Sequence, residues 1–132
     1  RTALGLPALP ALVTDGTRPS AYRAVDEFLS ARPAELPTAY CCANDSVAIG
    51  TMLALRKHGV RVPAEASVIG ADDALACLYE QPRLTTFALD YPAMLDTLAQ
   101  GVIDCVREPF AEPFERTLCG ALVERESCAR PD

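Results

Sequence analysis

Apolar residues fall along this chain in two rhythms: short unbroken runs, and longer stretches at helical spacing set off by Pro and Gly. Residues 38–43 form a short apolar run that stops at Asn44-Asp45, and residues 67–71 form a second that stops at Asp72-Asp73. Short runs bounded by polar turn residues predict buried strands. Between them a helical stretch is expected from Asp45 to His58, with Gly59 as its stop and Pro63 barring its continuation. The unit is strand, helix, strand, with amide or acidic side chains at both strand tips. In open parallel sheets ligands bind beyond the carboxyl ends of the strands, so Asn44, Asp45, Asp72 and Asp73 are the first candidates for a site.

Upstream, residues 1–10 are Pro-rich and irregular and read like a chain entered midway. Residues 11–14 predict a short strand leading to a turn at Asp15-Gly16, and Ser20 is placed to cap a helix. Tyr22, Val25, Phe28 and Leu29 share one face of that helix, which Pro33 ends. Downstream, residues 74–79 are short and apolar, and residues 84–89 have the content of another strand. A further helix starts after Tyr91-Pro92, with Met94, Leu95, Leu98, Val102, Ile103 and Val106 on one face. Pro109 and Pro113 mark a loop, residues 116–123 predict a last strand, and the tail after Ser127 is expected to fray. Strands alternating with helices give an α/β chain with an open, mainly parallel sheet and flanking helices. Internal repeats and low-complexity segments are absent.

The stretch 45–58 is apolar over more of its surface than one contact needs. Ala48, Ile49, Met52, Leu53 and Leu55 cover about half the circumference, and Val47 and Ala54 form a second patch beside Gly50. One face can cover the sheet. The small residues on the rest would let a second helix approach closely, which leaves open both a subunit interface and a helix buried wholly within its own domain.

Composition narrows the classes. At 132 residues the chain is one domain or part of one. Half its residues are hydrophobic and 23% are charged, which fits a folded protein rather than a disordered one. With 12 basic against 18 acidic residues, it is a poor binder of polyanions, so any nucleic-acid contact must come from elsewhere. No apolar run approaches the roughly 20 residues that span a bilayer, and the N-terminus lacks the order of a signal peptide, so the expectation is a cytoplasmic protein with no membrane partner.

The six cysteines are scattered through apolar stretches and read as reduced, mostly buried thiols rather than a disulfide framework. There is no C-x-x-C pair and His58 is the single imidazole, so no metal site is expected. Catalytic signatures fail as well. A receiver-type phosphotransfer reading of the acidic strand tips needs a lysine at a later strand end, whereas the one lysine, Lys57, lies on the central helix. There is no G-x-S-x-G or phosphate loop, and His58 reads as a cation at a helix C-terminus. The expectation is a binding protein that is not an enzyme and needs no cofactor.

The order of motifs carries a resemblance. Pro37-Thr38-Ala39, Ala43-Asn44-Asp45, Ala48-x-Gly50, Ala54-Leu55, Gly59-x-Arg61-Val62-Pro63, Ser67-Val68-Ile69-Gly70-x-Asp72-Asp73, Leu84-Thr85-Thr86 and a closing Val123-x-Arg125-Glu126-Ser127 resemble the lac repressor (LacI/GalR) family of bacterial transcription regulators. The set spans about Asp15 to Ser127.

The resemblance implies the later part of an effector-binding core built like periplasmic binding proteins of type I. Residues 1–89 would be part of the C-terminal subdomain, 90–118 a segment returning to the N-terminal subdomain, and 119–132 the final strand and tail, with the DNA-binding headpiece absent. Asn44 and Asp72 match residues that hydrogen-bond effector hydroxyls, and Tyr91 matches an aromatic that lines the cleft, although its position also suits plain core. Asp45 and Asp73 read better as caps of the turns that follow. Ala71, Leu89 and Leu95 depart from the residues usual at their positions, and the family's effector-binding Arg has no counterpart, so the effector's identity stays open beyond a small, sugar-like metabolite. The implied partners are that effector, a second copy meeting at Ala48, Met52, Leu55 and Tyr79, and operator DNA through the headpiece only. A periplasmic solute-binding protein is the alternative with the same architecture.

Overall fold

The computed structural model describes residues 11–109 and 115–130. The order is α1 (Arg18–Ala31), β1 (Ala39–Cys41), α2 (Asp45–Lys57), β2 (Ser67–Ala71), a 3-10 turn (Leu75–Leu78), β3 (Thr85–Ala88), α3 (Tyr91–Arg107) and β4 (Ala121–Val123). The four strands form one sheet in the order β1-β2-β3-β4. β1, β2 and β3 are parallel, with Tyr40 opposite Val68 and Gly70 opposite Thr86. β4 runs antiparallel to β3, placing Val123 opposite Thr86. The α/β expectation holds.

The core is the space between α2 and the sheet on one side and between α2 and α1 on the other. Ile49, Met52 and Leu55 of α2 are fully buried with Val25 and Leu29 of α1, Val68 of β2 and Leu84 ahead of β3. Each such side chain contributes about 1.5–3 kcal/mol on leaving water. The wide apolar surface of α2 is therefore satisfied inside this chain. A Cβ at Gly50 would collide with the Arg18 carbonyl oxygen, so the helix that the small residues admit is α1. Ala48, Met52 and Leu55 are buried in this core and cannot meet a second copy, which corrects three of the four interface residues expected from sequence. Tyr79, the fourth, is 77% exposed.

Several local expectations shift. Residues 11–14 form no strand, and Val13 is 92% exposed: among the described residues no strand lies beside them to accept their hydrogen bonds. The run at 38–43 is a three-residue strand, half-exposed rather than buried, and among the described residues β2 is its neighbour. The α1 cap is Thr17, whose hydroxyl accepts from the Ser20 amide, while the Ser20 hydroxyl accepts from Asp15. The last strand is confined to Ala121–Val123.

The tail after Ser127 does not fray at once: the Cys128 thiol donates to the Val68 carbonyl at 3.2 Å and the Ala129 amide to the Ser67 hydroxyl at 3.1 Å. The Ser127 hydroxyl donates to the Val68 carbonyl at 2.6 Å and accepts from the Thr85 amide at 2.8 Å, stitching β2 to β3. The thiols are free as expected but not mostly buried: Cys41, Cys105 and Cys119 are exposed and only Cys77 is fully buried. Pro113 and residues 1–10 lie outside the described residues.

α3 has the expected apolar stripe, and among the described residues nothing covers it. None of its residues is buried, and Leu95, Leu98, Val102, Ile103 and Val106 are all exposed. An open cavity of about 700 Å³ runs along it, lined by Leu98, Val102, Val106, Arg116 and Leu118 among others.

Candidate functional site

Three parallel strands end on the same edge, and each carries one of the residues singled out from the sequence. Asn44 follows β1, Asp72 follows β2, and Tyr91 follows β3 at the start of α3. Asp72 and Tyr91 meet: the Tyr91 hydroxyl donates to Asp72 Oδ1 at 3.0 Å. That hydrogen bond, with some burial, raises the Tyr91 pKa above its ordinary value of 10. Asn44 makes no hydrogen bond to either. Its Oδ1 caps α2 by accepting from the Val47 amide at 2.8 Å, and its Nδ2 donates to the Gly16 carbonyl at 3.2 Å. This draws the loop ahead of α1, which the sequence did not point to, alongside the strand tips. Gly16 has φ +83, the kind of turn that glycine allows without strain.

The acidic neighbours are structural, as expected, though in roles other than capping. Asp45 is buried, and its carboxylate accepts from the Ala74 amide at 2.7 Å and from Thr86 Oγ1 at 2.6 Å. Asp73 pairs with Arg125 at 2.5 Å, and Arg125 also donates to the Leu84 carbonyl. The caps are Asn44 for α2 and Asp90 for α3. Asp72 and Asp73 both sit at positive φ, 113° and 53°, a conformation costing on the order of 1–3 kcal/mol per residue with a side chain. Sequence reading does not reveal that strain, because Asp tolerates it better than most residues and so leaves no glycine as a signal.

Burial raises the Cys77 thiol to about 12, and the Asp45 carboxylate beside it adds to the effect, so this cysteine behaves as an inert apolar residue. Among the described residues no group of three His, Cys, Asp or Glu side chains could hold a metal ion. The edge offers one carboxylate, one amide and one phenol, with Asn44 and Asp72 half-buried and Tyr91 exposed. Such groups suit a polyhydroxylated molecule, whose hydroxyls both donate and accept.

A family model described as "Periplasmic binding protein-like domain" matches residues 2–128. The GalR transcriptional regulator of Salmonella typhimurium is 36% identical over 94 residues, 71% of this chain and 28% of its own length. This chain thus spans under a third of that relative. A lac repressor dimer solved bound to operator and the anti-inducer ONPF superposes with TM-score 0.85 at 26% identity, over 98% of this chain and 44% of that one. A LacI family regulator from Enterococcus faecium solved with bound ribose gives TM-score 0.76 at 28% identity, over 92% of this chain and 44% of that one.

Proposed function

Because the chain belongs to the periplasmic binding protein-like domain family, as an effector-binding core of the LacI/GalR type, we propose that it senses a small sugar-like metabolite and controls operator binding by a headpiece elsewhere in the protein. The observation that carries this reading is the convergence of Asn44, Asp72 and Tyr91 on the carboxyl edge of three adjacent parallel strands, the Asp72–Tyr91 bond included. Ribose is bound by the Enterococcus relative and serves as the first probe here. The relatives are regulators rather than transport components or enzymes, which favours regulation over solute capture.

Two surfaces complete the reading. Residues 90–118 are assigned to a second subdomain, because α3 has no buried residue and its apolar stripe faces an open cavity. A second copy of the chain is assigned to the patch formed by Leu75, Leu78 and Tyr79, which is exposed and apolar and follows directly on the Asp72-Asp73 turn. The lac repressor relative is a dimer, which supports a two-fold contact.

Calorimetry of the intact regulator against ribose, other mono- and disaccharides and nucleosides tests the site. Asp72→Ala should weaken binding of whichever compound binds by about 1–3 kcal/mol, the worth of a lost buried hydrogen-bonding group. Equal affinity in wild type and Asp72→Ala would remove this edge from consideration.

A further inference from the structure

The turn that carries Asp72 is held from beneath by a residue that an effector cannot reach. Asp45 is 1% exposed and uses both carboxylate oxygens on the supports of that turn. Oδ2 accepts from the Ala74 amide at 2.7 Å, and Oδ1 accepts from Thr86 Oγ1 at 2.6 Å. A hydroxyl has one proton, so Thr86, having donated it to Asp45, is left to accept from the Asp73 amide at 3.4 Å. Gly70 on β2 leaves the space in which Oδ1 sits, since a Cβ there would collide with it. Arg125 grips Asp73 from the other side.

A buried carboxylate is costly unless donors surround it, and both donors here belong to the turn or to the strand beneath it. The two positive φ angles at Asp72 and Asp73 persist only where neighbours over-determine them. We infer that Asp45 is a positioning residue, whose carboxylate, relayed through Thr86, holds the turn of residues 72–74, with its two positive-φ aspartates, and so sets where the Asp72 carboxylate stands against Tyr91. Its meaning for effector binding rests on the function proposed above, whereas the geometry of the turn can be read without any ligand.

Tyr91 supplies that reading, because its pKa is raised first by its hydrogen bond to Asp72. The experiment labels the tyrosines of the full chain with ¹³C at Cζ, assigns Tyr91 by Tyr91→Phe, and titrates over the alkaline range in which circular dichroism shows the chain folded. Asp72→Ala calibrates the loss of the bond, since an asparagine amide oxygen would still accept from the Tyr91 hydroxyl. In Asp45→Asn and in Thr86→Val the Tyr91 titration should fall to the value seen in Asp72→Ala. Should Asp45→Asn not fold, Thr86→Val decides by itself. Folded variants that lose thermal stability yet keep the wild-type Tyr91 titration would overturn the inference and leave Asp45 a structural acid only. In the same variants of the intact regulator, affinity for ribose or the best sugar of the panel should fall roughly tenfold or more. Sugar binding indifferent to Asp72→Ala overturns the effector reading instead, and the Tyr91 titration still judges the turn.

Discussion

Asn44 commits both ends of its amide within its own chain, which changes what its replacement should do. Asn44→Ala removes an N-cap, so the chain should lose about 0.5–2 kcal/mol of stability in thermal unfolding apart from any loss of binding. Asp72→Ala loses one bond to Tyr91 and places alanine at a positive φ that aspartate tolerates better, so it too should lower stability, by about 1–2 kcal/mol. An Asn44→Ala chain as stable as wild type would contradict the cap. Tyr40 shows the opposite situation: its hydroxyl is buried and has no hydrogen-bond partner among the described residues. An unpaired buried hydroxyl costs about 1–3 kcal/mol, so Tyr40→Phe should leave the melting temperature unchanged or raise it. A lower one would show that the hydroxyl is hydrogen-bonded in the folded protein.

At the scale of elements, the contact between α1 and α2 decides whether the core closes. Gly50→Ala gains about 1 kcal/mol of helix propensity. The added methyl also strikes the Arg18 backbone and approaches Ala21 Cβ, so the helices must separate. Overpacking of this kind costs about 1–3 kcal/mol or more, and the net result in denaturant unfolding should be destabilisation. The same helix pair is clamped at its far end by Asp26, which bonds Lys57 Nζ at 2.7 Å and His58 Nε2 at 2.8 Å. The Lys57 ammonium, followed by His58, holds the Asp26 carboxyl below its ordinary range. A depressed carboxylate contributes stability above its unfolded pKa and loses it as pH falls through the folded value. The clamp should therefore weaken from about pH 4 downward. Asp26→Asn should flatten that part of the acid limb in unfolding measured between pH 2 and 5, a range chosen to bracket carboxylate titration. An unchanged limb would show the pair to be fully screened at this exposed position.

For the whole molecule, the exposed patch of Leu75, Leu78 and Tyr79 is the surface proposed for a second copy, in place of the α2 face. Charged replacement at Leu78 or Tyr79 should shift light scattering towards monomers, whereas Met52→Arg should unfold the chain because Met52 is core. A monomeric wild type at high micromolar concentration would count against the patch. Charge settles a second matter. With 12 basic and 18 acidic residues, the 132-residue chain should give no gel shift with DNA even at low salt, where non-specific attraction is strongest. A shift whose salt slope implied several phosphate contacts would show a basic face that the overall balance conceals.

The sequence by itself determined the alternation of strands and helices, the strand tips at Asn44 and Asp72, and the family, because these depend on local periodicity and on residue types at fixed spacing. The partners of those elements were decided by the fold. α2 looked apolar all round whether its second neighbour was a foreign subunit or α1, and only the Gly50–Arg18 approach shows which. Residues 11–14 have the content of a strand, yet no described strand pairs with them. The residues after Ser127 read as a loose tail, yet the Ala129 amide reaches the Ser67 hydroxyl, just as the Ser127 hydroxyl joins β2 to β3, across long sequence separations. The same holds for Asp45. A carboxylate in the first turn of a helix reads as a local cap, and its service to a turn 29 residues away depends on a hydrogen bond that exists only once β2 and β3 have placed Ala74 and Thr86 over it.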